Sequence, residues 1–66
     1  MDFDSILDLR DAAAFLHQRD PAAHIRCTWE TDYGDQLYQA KLVEFVYQRQ
    51  TFTEDNWYRL LSAVIA

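Results

Sequence analysis

His17, Asp20, His24 and Cys27 are the residues of this chain whose types and spacing come nearest to a chemical site. Imidazole, carboxylate and thiolate are all zinc ligands. Structural zinc sites, however, usually pair short spacers, with several Cys or His on each side. Here Pro21 interrupts the set, so a common facing does not follow from the spacing. Two partly exposed histidines and a buried cysteine are the simpler reading. On a helix, His24 and Cys27 would stand one turn apart, the spacing of a base beside a thiol nucleophile. Nothing else supports that chemistry: one glycine leaves no glycine-rich loop for an oxyanion or a phosphate. Glu54 and Asp55 are adjacent acids of the kind found at helix starts rather than an acid–base pair. The expectation is a protein with no catalytic residues, no metal and no cofactor.

The acids carry more signal. Eleven Asp and Glu oppose six Lys and Arg, for a net charge of −5. Nine of the acids fall into three groups: Asp2, Asp4, Asp8 and Asp11; Glu30, Asp32 and Asp35; Glu54 and Asp55. The middle group surrounds Tyr33 and Gly34 and contains no base in sequence. Acids two apart on an extended chain are separated by about 7 Å. That scale suits imitation of successive phosphates on a nucleic-acid backbone. Glu30, Asp32, Tyr33 and Asp35 are therefore the candidate partner-binding residues. An ordinary solvated loop is the competing reading.

Charge also limits the partners. Excess carboxylate disfavours direct binding to nucleic acid or to an anionic membrane and favours a basic protein surface. Half of the residues are hydrophobic and ten are aromatic, more than one small core needs, so some aromatics are available to a partner or a second copy. A monomer or weak homodimer is expected. The lone Cys27 rules out an internal disulfide and fits a reducing compartment, and no apolar run approaches membrane-spanning length. The acidic N-terminus lacks the basic and apolar regions of a signal peptide, which points to the host-cell cytoplasm. Sixty-six residues make a single small domain with a compact radius of gyration of about 11 Å.

Position then depends on the elements. Ile6, Leu9, Ala13 and Leu16, with Ala12 beside them, recur at helical spacing within residues 4–19, and Asp4, Ser5 or Asp8 supplies the cap. Asp20-Pro21 is a boundary and a helix start. Residues 21–32 divide the signals, and a helix is the expectation there. Ala22, Ile25, Trp29 and Tyr33 follow helical spacing, whereas Ile25, Cys27 and Trp29 alternate as in a strand. Residues 36–50 read as a central helix, because Tyr38, Leu42, Phe45 and Val46 make one apolar arc on a helical wheel, widened by Ala40, Val43 and Tyr47. Gly34 marks a positive backbone angle at its entry. A last helix follows Thr53 as cap, with Phe52 and Trp57 as a hydrophobic staple and Trp57, Leu60, Leu61 and Val64 as its apolar face. The fold class expected is all-α, a small bundle of three to four helices. The alternative is α+β, with a hairpin at 25–42.

As a whole the chain resembles the short, acidic, single-domain anti-CRISPR proteins of phages and mobile elements, in particular inhibitors of type I surveillance complexes. The shared features are length, acidity, a lone cysteine and the lack of catalytic motifs. No motif residue carries the resemblance, so no site residue transfers from it. It implies a non-enzymatic inhibitor that blocks target DNA by covering a basic channel or the site that reads the adjacent motif. The second function expected from the residues is a small interaction or self-association module, such as an antitoxin or adaptor. Its contact would be apolar and made through Tyr47, Tyr58 or Phe15.

Overall fold

The computed structural model describes residues 2–34 and 37–66, with side chains for 2–31 and 39–66. It is α+β, not an all-α bundle. A 3-10 turn, Phe3–Ser5, leads into helix α1, Leu9–Arg19. Strands β1 (Arg26–Gly34), β2 (Leu37–Tyr47) and β3 (Gln50–Thr53) follow, and helix α2 (Trp57–Ile65) closes the chain. The strands form one antiparallel sheet in the order β1-β2-β3.

The expected central helix at 36–50 is thus strand β2, the turn after it and the start of β3. One irregularity explains the misreading. Thr28 pairs with Glu44 but Trp29 pairs with Leu42, so Val43 is an extra residue on β2, a β-bulge. Skipping Val43 restores strict alternation: Ala40, Leu42, Phe45 and Tyr47 share one face. The bulge converts a period of two into spacings of three and two, which a helical wheel reads as an arc. The expected helix at 21–32 is likewise replaced, by a turn at 20–23 and then β1. β-branched and aromatic residues in 25–33 prevail there over the Asp20-Pro21 start signal. The hairpin of the alternative reading is present but longer, spanning 26–47 rather than 25–42.

α1 begins later than the first capping candidates suggest, because residues 3–5 are spent in the 3-10 turn. Asp8 is its N-cap. The Asp11 N–H donates to Asp8 Oδ1 at 2.8 Å, and the Leu7 N–H donates to Asp11 Oδ2 at 3.1 Å. This is a variant of the capping box with aspartate at both positions, in which Asp11 reaches back to the N–H before the cap instead of to that of Asp8 itself. α2 also starts late. Thr53 ends β3, and Asn56 rather than Thr53 precedes the helix. The Thr53 N–H donates to Asn56 Oδ1 at 2.7 Å, and Asn56 Nδ2 donates to the Thr51 carbonyl at 3.2 Å. One amide side chain therefore satisfies the strand end and sets the turn into α2. Phe52 is no staple; it pairs with Phe45 across the sheet.

Both helices lie on one face of the sheet. Leu9, Ala12 and Leu16 of α1 and Leu61 of α2 are fully buried against Leu42, Phe45, Tyr47 and Phe52, with Ile6 beneath. Trp57, Leu60 and Val64 pack partly at the margin, while Val46, expected in the core, is only half-buried on the opposite face. The Phe45 and Phe52 rings stack at 4.6 Å with an interplanar angle of 12°. Phe3 lies between Phe15 of α1 at 6.4 Å and Tyr58 of α2 at 5.7 Å, joining the chain start to both helices. Apart from Val46, the other sheet face is polar where described, carrying Arg26, Thr28, Glu30, Lys41, Glu44, Thr51 and Thr53.

The core covers only the base of the hairpin. Its far part, beyond Trp29 and Leu42, contributes no buried side chain among the described residues. The molecule accordingly measures 43 × 23 × 22 Å, with a radius of gyration of 12.7 Å. That exceeds the ~11 Å of a compact chain this long. The β1–β2 hairpin is an arm.

Candidate partner-binding surface

The structure places the candidate residues on that arm. Glu30, Asp32 and Tyr33 are in β1, opposite Lys41, Gln39 and Tyr38 respectively. Glu30 is exposed. The side chains of Asp32 and Tyr33, and the whole of Asp35, lie outside the described residues. Extended backbone through Glu30 and Asp32 supplies the ~7 Å repeat that the phosphate comparison requires. The helix expected over 21–32 would not have supplied it.

The fold also brings a base that the linear sequence kept apart from this group. Lys41 stands directly across from Glu30, and both are exposed. An opposite-charge pair in this position contributes about 0.2–1 kcal/mol to the sheet and offsets part of the acidity at Glu30. Cross-strand register, invisible before the hairpin is known, is the missing signal.

The remaining acids divide by role. Asp8 and Asp11 cap α1. Asp20 follows the last turn of α1 and accepts a hydrogen bond from the Tyr47 hydroxyl at 3.3 Å. Burial, then the charge of Asp20, then this hydrogen bond push the Tyr47 phenol above its ordinary range, while Arg19 acts against them. Tyr47 is buried, so it cannot serve the apolar interface expected of it. Asp2, Asp4, Glu54 and Asp55 are exposed at the two turns that precede the helices.

The histidine and cysteine candidates are separated by secondary structure. His17 is on α1, His24 is in the loop after it, and Cys27 is on β1. Among the described residues, no three His, Cys, Asp or Glu side chains are grouped closely enough to hold a metal ion. Cys27 is exposed rather than buried. Its Sγ lies 4.0 Å from the Ile25 carbonyl, and desolvation pushes the thiol up, away from the nucleophilic thiolate.

Where the arm leaves the body, Arg10 of α1, Trp29 and Thr31 of β1 and Ala40 of β2 line an open groove of about 580 Å³. Trp29 is 48% exposed there, against 0% for Phe45 on the same face. The helices cover β2 and β3 but leave β1 bare. Among the described residues, Leu7 and Tyr58 are the other large exposed apolar side chains, at 81% and 62%. No helix among the described residues is long and apolar enough to cross a membrane. No family model matches the chain, and neither does any curated protein or solved structure.

Proposed function

We propose that this protein is a non-enzymatic inhibitor that binds a basic, nucleic-acid-handling protein complex and blocks its access to target DNA. A type I CRISPR surveillance complex is the partner implied by the resemblance to anti-CRISPR proteins. The observation that supports this reading is the arm: an extended hairpin that stands clear of the core and carries Glu30, Asp32 and Tyr33 on β1, with Asp35 next but one to Tyr33 in sequence. Acids on a projecting element reach into a basic channel without a cost to the core. They speed association at low salt, and aromatic side chains beside them supply affinity at the centre of the contact. Such a protein binds basic protein and not nucleic acid itself.

The test is capture of a nucleic-acid-binding complex from bacterial lysate with the purified protein, followed by release at high salt. Inhibition of target-DNA binding by that complex is then measured with D32K/D35K. Loss of inhibition with an intact fold is expected. Unchanged binding after this double charge reversal would remove the electrostatic basis of the proposal.

A second reading, a small interaction module with an apolar contact, is favoured by the exposure of Trp29, Leu7 and Tyr58. Its partner would be retained at high salt, because screening weakens exposed charge pairs and leaves apolar contacts nearly unchanged.

A further inference from the structure

β1 is paired on one side only. Its residues Arg26 to Thr31 are all exposed, and no helix covers them. Natural edge strands are commonly blunted by proline, lysine or a bulge of their own. This stretch contains no proline and no lysine, and the bulge belongs to β2; its charges, Arg26 and Glu30, are of opposite sign, so a second copy can answer both. The other sheet edge, β3, is four residues long.

We infer that the free edge of β1 pairs with β1 of a second copy of this chain, antiparallel, about a two-fold axis at Thr28. The two three-stranded sheets then become one continuous sheet. The charges fit this register. Arg26 and Glu30 lie on the same polar face of β1, each two residues from Thr28. Antiparallel pairing about Thr28 sets Arg26 opposite Glu30 of the partner copy, and the two-fold repeats the contact. Glu30 would then stand between Lys41 of its own sheet and a partner arginine, with opposite charge on both sides. On the helix-bearing face, the exposed Trp29 meets the exposed Cys27 of the second copy and loses water. Thr28 meets its own equivalent, a favourable cross-strand pair. Sliding the register by two residues one way sets Arg26 opposite Thr28; sliding it the other way sets Arg26 opposite Asp32 in place of Glu30, a register in which an E30R protein would still dimerise. An isologous contact of this kind closes at two copies and does not propagate.

This inference does not rest on the basic-partner proposal and is read without any partner. If the pairing forms, Glu30 is neutralised, and Asp32 and Asp35 alone would carry the mimicry.

Sedimentation velocity on the purified protein, from about 1 µM to about 1 mM, gives the test. Wild type is expected to pass from monomer to dimer. R26E places Glu against Glu, E30R places Arg against Arg, and T28E places like charges on the axis itself. Each variant alone should be monomeric, or at least tenfold weaker in association. An equimolar mixture of R26E and E30R restores both opposite-charge contacts and should form a heterodimer. Circular dichroism checks that each variant is folded, and T28E stands in if a reversal at 26 or 30 disturbs the sheet. Wild type that stays monomeric throughout overturns the inference. So does a mixture that stays monomeric, or an E30R protein that dimerises by itself.

Discussion

The turn between β2 and β3 offers a test of the backbone argument. Gln48 and Arg49 link the Tyr47–Gln50 pair, and both have positive φ, 52° and 65°. Two left-handed residues in a two-residue hairpin suit the twist of the flanking strands, a position usually filled by Asn-Gly or Asp-Gly. Neither residue here is of that kind. A side chain in the left-handed region costs roughly 1–2 kcal/mol, and glycine avoids that cost while giving up about 0.5–1 kcal/mol through the freedom of the unfolded chain. Arg49 is exposed, whereas the Gln48 Nε2 donates to the Tyr47 hydroxyl at 3.3 Å, so Arg49 is the cleaner site. Arg49→Gly should therefore stabilise the protein by about 0.5–1 kcal/mol. For a domain of this length the midpoint rises by roughly 2–8 °C. Urea titration followed by tryptophan fluorescence measures the free energy, and an unchanged denaturant slope shows that the end states are the same. Thr51→Gly, at an exposed position in β3 with ordinary strand backbone, is the control and should destabilise. Equal losses in the two variants would refute the claim that the turn carries strain.

Three further outcomes follow from the contacts. Tyr47→Phe removes the hydrogen bond to Asp20 and should cost about 0.5–1.5 kcal/mol near neutral pH. The folded protein favours the neutral phenol, so this contribution is full below the unfolded pKa of about 10 and is lost as pH rises through the higher folded value. Wild type should accordingly lose stability more steeply than Tyr47→Phe in alkaline solution, as read by urea titrations across pH 8 to 12 (~1-unit steps). Asp8→Ala deletes the N-cap of α1 and should cost about 1 kcal/mol; adding Asp11→Ala should cost less than it does alone, since the two share one box. Phe45→Leu and Phe52→Leu should show a coupling of about 0.5–1.5 kcal/mol in a double-mutant cycle, from the stacked rings.

The helix α1 was legible because its apolar residues keep one period from Leu9 to Leu16 and a proline pair follows. β2 was not, because Val43 breaks the phase of an otherwise alternating strand and the remaining spacing imitates a helix. Residues 53–56 misled for a different reason. Thr53, Glu54 and Asp55 are ordinary helix-start residues, yet Asn56 binds the end of β3 with its amide and delays the helix. Of the surface, sequence could name the acids Glu30 and Asp32 but not Lys41, which reaches Glu30 only through the hairpin register. It had no means to mark Trp29 as exposed, since that depends on which strand the helices leave bare.

The extra residue in β2 also divides the hairpin into two territories with separate rules. Up to Leu42, the inward positions of β2 (Leu42, Phe45 and Tyr47) are buried in the core, and a change of one methyl group is felt there. Beyond Trp29 and Leu42, the described side chains touch no core, and the strands are held by backbone pairing and one charge pair. Substitutions there are free of packing constraint. Deleting Val43 would leave the facing of every other residue unchanged, since the flanking pairs already join Thr28 to Glu44 and Trp29 to Leu42. The part of the arm beyond Leu42 is thus exchangeable: it can be lengthened, shortened or recharged while the body that carries it stays the same.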